Sequence, residues 1–484
     1  MLGQVTGQLE KRITEFTLDN GLHFLILERR DAPVIAFHTY VRAGSAQDPS
    51  GRTGIAHLFE RLAFKGTDSI GTRSWADEKP AMAAIEEALD RLDLERRKGP
   101  RADPSKISLY EGQAKIAMSR AAPYANSLEM PAMFDANGVV GLNAASGVDA
   151  TEFRCSLPSN RVELWFLLEA ARLQRPVYRD FYKEREAALA AYRTRMEANP
   201  QARLLEALLA TAFAVHPYRQ AGPGWPSDVE SLRMRDAEQF FRTYYVPSNI
   251  TVAMVGDIEA ARARQLAAKY FAPIPAGIPA PLLSTREPPQ RGPKQVYVES
   301  SGEPAFYVAY KRPDRYHKDD LVFDVIAVLL GGARAGWLYQ ELVRDKRQAL
   351  SAAVQPTFPG GRYDNLFLFY ITPTRGAKPE EAERALYDVL SRLQTRPVDA
   401  QALASARTRL RAGVLRQMRS NERLAAMLAT AHAEYGSWKG LFQAIDGLER
   451  VTAADVARVA RQYFVPSGRT VAWSLPPAPA GGRR

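Results

Sequence analysis

Residues 54–67 read Gly54-Ile55-Ala56-His57-Leu58-Phe59-Glu60-Arg61-Leu62-Ala63-Phe64-Lys65-Gly66-Thr67. Within them, His57-Leu58-Phe59-Glu60-Arg61 is the pattern H-x-x-E-H with arginine in place of its second histidine. Side chains at i and i+4 share one face of a helix, so two histidines so spaced grip one metal ion. A glutamate at i+3 then reaches a metal-bound water as general base. Arg61 breaks this arrangement, because a guanidinium has no lone pair to give and stays charged at physiological pH. A lone imidazole beside a fixed cation holds a divalent ion weakly.

Working outward, Phe16 to Leu27 carries Asn20-Gly21 between alternating apolar runs, the signature of a β-hairpin. Val34 to Val41 reads as a further strand, and the His57 segment follows as a helix. Far apart in the chain, Phe240 to Ala253 and Ala460 to Ala472 resemble each other. Each runs from a helix end through an aromatic pair and a Val-Pro-Ser turn into a β-rich stretch, which points to a duplicated domain. Between the copies, Pro273, Pro275, Pro279, Pro281, Pro288, Pro289 and Pro293 favour an extended spacer. In the second copy, Val296 to Val298, Ala305 to Tyr310 and Leu366 to Ile371 read as strands. Leu321, Val325, Val328 and Leu329 recur at helical spacing. Residues 77–130 read as an inserted helical hairpin, broken at Gly99-Pro100 and restarted at Asp103-Pro104-Ser105. The expected fold class is α+β with largely antiparallel sheets.

A chain of 484 residues is too long for one core. With 65 Lys and Arg against 54 Asp and Glu, the net charge is +11. The basic residues are dispersed; Arg407, Arg411, Arg416, Arg419 and Arg423 fall largely at helical spacing, as on a solvated face, which argues against nucleic-acid binding. No apolar run is long enough to span a membrane, and Met1 to Lys11 lacks a signal peptide's apolar segment. The single cysteine, Cys155, excludes an intramolecular disulfide and a cysteine-based zinc site.

Gly54-x-Ala56-His57-x-x-Glu60 with Phe64-Lys65-Gly66-Thr67 resembles the active-site helix of the M16 peptidases, the inverted-motif zinc family of pitrilysin, insulin-degrading enzyme and mitochondrial processing peptidase. The resemblance extends over nearly the whole chain, through Asn20-Gly21-Leu22, Ala43-Gly44-Ser45, Gly141-Leu142-Asn143-Ala144, Lys183-Glu184-Arg185-Glu186, His216-Pro217-Tyr218 and both Val-Pro-Ser turns. It implies two homologous M16-type domains, each a mainly antiparallel sheet packed with helices. These are residues 1–271 with the insertion, a spacer at 272–294, a second domain at 295–475 and a tail at 476–484.

Carried over by residue, the resemblance puts the family's first zinc histidine at His57 and its general base at Glu60. Its second zinc histidine falls at Arg61. The third ligand, a glutamate seven positions after the glutamate of a Glu-Arg pair, falls at Ala191, counting from Glu184-Arg185. A shifted register would offer Glu186 or Glu197. The space vacated at Arg61 calls for a carboxylate partner, Glu60 or Glu184, because a partly buried unpaired charge is costly. The family's substrate-holding Arg and Tyr, seven apart, meet Arg344 and Ser351, so the phenol is lost. Asn143 and Ala144 match the family's strand beside the substrate.

The resemblance thus implies a degenerate, non-catalytic M16 subunit with no cofactor expected, in which Glu60 is vestigial. Such a subunit completes a peptide-binding chamber with a zinc-bearing partner, by resemblance in the periplasm. Its binding residues are Asn143, Ala144 and Arg344. Two other readings remain at this stage: an active zinc metalloendopeptidase using non-standard ligands, and a homodimeric peptide-binding or scaffold protein.

Overall fold

The chain turns at Asn20-Gly21 between β1 (Ile13–Thr17) and β2 (His23–Glu28), which pair antiparallel from Ile13 opposite Leu27 to Thr17 opposite His23. Gly21 sits at φ +94°, a backbone conformation that glycine adopts without strain. The computed structural model describes residues 7, 9–220, 222–300, 302–375 and 378–475. The tail at 476–484 and most of the polar start, from Met1, fall outside the described residues.

The next strands are β3 (Val34–Val41), β4 (Val140–Ser146), β5 (Thr151–Pro158) and β6 (Ile250–Gly256). They form a six-stranded sheet in the order β1-β2-β6-β3-β5-β4, in which only β2 and β6 run parallel. A second sheet comprises β7 (Lys294–Glu299), β8 (Phe306–Arg312), β9 (Ala349–Phe358), β10 (Asn365–Pro373) and β11 (Arg469–Leu475), in the order β7-β11-β8-β10-β9. Its one parallel pair is β7 with β11. Apart from β1, the two sheets repeat one topology: β2 to β6 correspond in order to β7 to β11. Each Val-Pro-Ser turn opens the final strand, β6 or β11, which inserts beside the first strand of its own copy. No helix or strand lies between Tyr270 and Lys294. There the Glu287 carboxylate accepts the N–H groups of Ala214, Val215 and His216, which ties the proline-rich stretch down.

Strands such as Phe24-Leu25-Ile26-Leu27 are apolar at every position because both faces of the sheet are covered. One face of the first sheet packs Phe24, Ile26, Phe37 and Phe153 against helices of the same half. The opposite face, Leu25, Leu27, Ala253 and Val255, meets Leu424, Ala425, Leu428 and Ala429 of helix Asn421–Tyr435. That helix comes from the second half of the chain. Reciprocally, Tyr307, Ala309, Leu368 and Ala472 of the second sheet pack on Leu204, Leu208 and Leu209 of helix Pro200–Ala212, from the first half. The two halves therefore exchange a helix.

A polar cluster pins this exchange. Glu434, near the end of the exchanged helix, is fully buried. It accepts hydrogen bonds from Arg362 Nη2 at 2.5 Å, Tyr40 Oη at 2.5 Å and Tyr316 Oη at 2.8 Å. Asp149 beside it accepts the Tyr218 hydroxyl and the N–H groups of Gly361 and Arg362.

The inserted segment forms two packed helices, Trp75–Arg96 and Pro104–Ala121. Asp103 caps the second by accepting the Ser105 N–H at 2.9 Å. Arg179, fully buried, holds Glu78 of the first helix through Nε at 2.7 Å and Nη2 at 2.9 Å. It also donates to the carbonyls of Lys65, Thr67 and Ile70. The hairpin is thereby clamped to the loop that follows the His57 helix.

Burial alone would raise the Glu434 pKa, but the Arg362 hydrogen bonds and charge hold it down to about 2, from an ordinary 4.5. Its contribution to stability is therefore present in full above pH 4.5 and fades as pH falls toward about 2. Glu434→Gln leaves Arg362 unpaired and is expected to destabilise the chain by about 3–5 kcal/mol. Urea melts at pH 7 and at stepped acidic pH measure both effects, and the variant's stability should decline less steeply with acid.

Candidate active site and its missing ligands

The motif residues lie on helix Ile55–Leu62. Gly54 opens it at φ +93°, and a Cβ there would meet the Pro223 carbonyl at 2.4 Å. Asp48 accepts the N–H groups of Gly54 at 2.7 Å and Ala56 at 3.0 Å, satisfying two donors at the helix start. Ile55, Ala56, Leu58, Phe59 and Leu62 are buried, leaving His57, Glu60 and Arg61 on the less buried side. Phe59 packs on Tyr178, Phe240, Phe241 and Tyr245, which fixes the rotation of the helix.

His57 Nδ1 lies 3.1 Å from Glu60 Oε1. The other Glu60 oxygen accepts the N–H of Ser146, at the end of β4. Both oxygens of the candidate general base are thus engaged. Arg61 Nε donates to Glu184 Oε2 at 3.0 Å, and its Nη2 lies 2.9 Å from the same oxygen. Glu184 belongs to helix Phe181–Ala198. Lys65 Nζ donates to Glu184 Oε1 at 2.7 Å and lies 3.7 Å from Asp180. Burial would raise the Glu184 pKa, but the hydrogen bond and charge of Lys65, then those of Arg61, hold it below the ordinary carboxylate range.

Ala191, the position that the resemblance gives to the third donor, lies two helical turns beyond Glu184, exposed, and carries only a methyl group. Glu186 pairs with Arg185 at 3.1 Å rather than turning to His57. Glu197 lies near the end of the same helix, on its exposed side. Among the described residues, no third His, Cys, Asp or Glu donor converges with His57 and Glu60. The residues present do not fit a catalytic zinc ion, which takes three protein donors. At the second histidine position of the H-x-x-E-H pattern stands a guanidinium already paired with a carboxylate.

Asn143 and Ala144 lie on β4, at the edge of the first sheet, opposite Arg154 and Phe153 of β5. The chain bulges between Val140 and Asn143, with Gly141 at φ +69°. Because Ser146 binds Glu60, the edge strand and the motif helix meet at one point. Arg344 is not gathered there: it is exposed and chelates its neighbour Asp345 through Nε at 2.6 Å and Nη2 at 3.0 Å. Ser351 lies on β9, the matching edge strand of the second sheet. Cys155 is buried inside the first core, and burial raises its thiol pKa, so it is not a nucleophile. Sequence reasoning missed Lys65 and Ser146 as participants. The Phe-Lys-Gly-Thr segment carried the signal for Lys65, whereas the Ser146 contact is made by a backbone N–H and leaves no mark in side-chain identity.

Residues 25–85 match the family described as insulinase (peptidase family M16), and residues 231–410 match the M16 peptidase inactive domain. Zinc protease PqqE of Helicobacter pylori is 24% identical over 471 residues, spanning 95% of this chain and 92% of that protein. A crystal structure of a protease from Helicobacter pylori superposes with a TM-score of 0.79 at 22% identity, covering 96% of this chain and 99% of the other. The periplasmic protease PqqL of Escherichia coli superposes with a TM-score of 0.69 at 15% identity. That alignment covers 97% of this chain but 49% of PqqL. At these identities the structural likenesses establish the fold.

A double-mutant cycle of Arg61→Ala and Glu184→Ala measures the pair that occupies the ligand position. Arg61 is one-third exposed, so screening limits the coupling to about 1 kcal/mol. Equilibrium urea unfolding of the four variants gives the value. Lys65 should retain a measurable interaction with Glu184 in the Arg61→Ala background.

Proposed function

The chain belongs to the M16 peptidase family, and from that premise we propose that it is a non-catalytic member that presents peptide to a zinc-bearing M16 partner. The observation that carries this reading is the Arg61–Glu184 ion pair, which seats a fixed positive charge at a family ligand position. Losing a second donor at Ala191 acts in the same direction. A hydrolytic zinc lowers the pKa of its bound water through its own charge, and a cation beside the site opposes both the metal and that polarisation.

Peptide binding is assigned to the β4 edge. Its free backbone groups around Asn143 and Ala144 pair with an extended chain by strand addition. The half-length coverage of PqqL supports a partner, since a chain of this size matches only one of two comparable portions of that protease. PqqL is described as periplasmic, which favours an exported setting for this chain. Relatives named zinc proteases carry the metal-dependent role that the partner is assigned here.

Two measurements test the proposal. The chain alone should not cleave peptides, and Glu60→Gln should leave any background rate unchanged. Affinity capture from the native host should bring down an M16 homologue with an intact H-x-x-E-H motif. Peptide hydrolysis by the isolated chain that falls at least a hundredfold in Glu60→Gln would refute the non-catalytic reading. The paired substitutions Arg61→His and Ala191→Glu should raise zinc affinity at His57.

A further inference from the structure

Three side chains that play no part in the motif site meet where the exchanged helix crosses the first sheet. Glu15 lies on β1, His23 on β2 and His432 on helix Asn421–Tyr435. One donor atom from each lies within 4.8 Å of the others, the one such group of three among the described residues. The His23 and His432 rings stack with centroids 3.6 Å apart.

The hydrogen bonding around the group suits a cation. Thr17 Oγ1 lies 2.8 Å from His23 Nδ1; with that nitrogen protonated, the Nε2 lone pair is directed at the carboxylate side. His23 Nε2 is buried without a hydrogen-bond partner, 3.7 Å from Glu15 Oε2. His432 Nδ1 is likewise buried without a partner. A buried ring nitrogen left unmatched is costly, and a cation between His23 Nε2 and the Glu15 carboxylate would satisfy it. The carboxylate is oriented from behind, because Trp438 Nε1 donates to Glu15 Oε2 at 2.9 Å.

We propose that Glu15, His23 and His432 form a binding site for a divalent zinc ion that joins the two halves of the chain. Two imidazoles and one carboxylate suit a borderline-soft ion, and the exposed side at Glu15 leaves room for a water as fourth ligand. Zinc–nitrogen bonds of about 2.1 Å in a tetrahedron set donors about 3.4 Å apart. Side-chain rotation closes the present spacing to that value, and the stacked rings swing apart as they turn to the ion. Since the ligands come from both halves, zinc would bind the interlocked fold and not the unfolded chain, and so stabilise it.

The test uses the full chain stripped with a chelator, titrated with zinc chloride by calorimetry and with cobalt(II) by absorption spectroscopy. The expected result is one site per chain with a tetrahedral cobalt spectrum and a thermal midpoint that rises with zinc. Affinity should fall at least tenfold in Glu15→Gln and in His432→Gln, and stay unchanged in His57→Ala. Glu15 is exposed, so its variant tests the site without disturbing a core. Binding lost in His57→Ala but kept in His432→Gln would place the ion at the motif helix. That outcome would overturn this proposal and separately weaken the non-catalytic reading. No binding, or binding indifferent to all three variants, would also overturn it.

Discussion

The ion pair between Arg362 and Glu434 is the constraint on which the architecture rests. Glu434 arrives on a helix from the second half, yet its carboxylate is satisfied by Tyr40 of the first sheet as well as by Arg362 and Tyr316. A carboxylate this deeply buried is tolerated only when its hydrogen-bond capacity is filled. Arg362 also donates to the Arg42 carbonyl, so the same pair reads the end of β3. Shifting the exchanged helix by one turn would take Glu434 away from Arg362, Tyr40 and Tyr316 and leave a buried carboxylate unsatisfied. The apolar surface supplies the attraction between the halves, and the charge network supplies the register.

Register matters for the candidate site because the residues of β4 and the motif helix meet only through precise placement of the first sheet. Ser146 reaches Glu60 across that junction, while Asp149, three residues on, is held by Tyr218, Gly361 and Arg362. The strand edge beside the motif and the interface between halves are thus consecutive parts of one loop. On the other side of the motif helix, Arg61 and Lys65 face Glu184 and Asp180 in a balanced four-charge group. A guanidinium from the helix itself offsets the charge of Glu184.

Much of this was legible in the sequence where the signal is local. Asn20-Gly21 marked the β1–β2 turn, and the paired Val-Pro-Ser turns marked the two final strands whose identical placement defines the duplication. Charge balance called for a carboxylate beside Arg61 and left Glu60 and Glu184 open; the contact is made with Glu184. The exchange of helices was not legible: Leu204-Leu205 and Leu424-Ala425 have ordinary amphipathic spacing, and nothing in either names the sheet it will cover. The Glu15, His23 and His432 group was invisible for the same reason. Its histidines lie more than 400 residues apart in the chain and looked scattered.

These features separate what the fold requires from what it can lose. The motif helix is held by Asp48 at its start, by Gly54 against Pro223 and by the aromatic packing of Phe59. None of these contacts involves the exposed face that carries His57 and Arg61. A catalytic metal with an open coordination position contributes chemistry more than folding energy, unlike a closed structural site. Ligands on that face are therefore free to change without unravelling the helix, provided the charge left behind is balanced. Arg61 meets that condition at Glu184. The β4 edge is held by its ladder to β5, and the interlock of the halves by the Glu434 cluster, neither of which draws on His57 or Arg61.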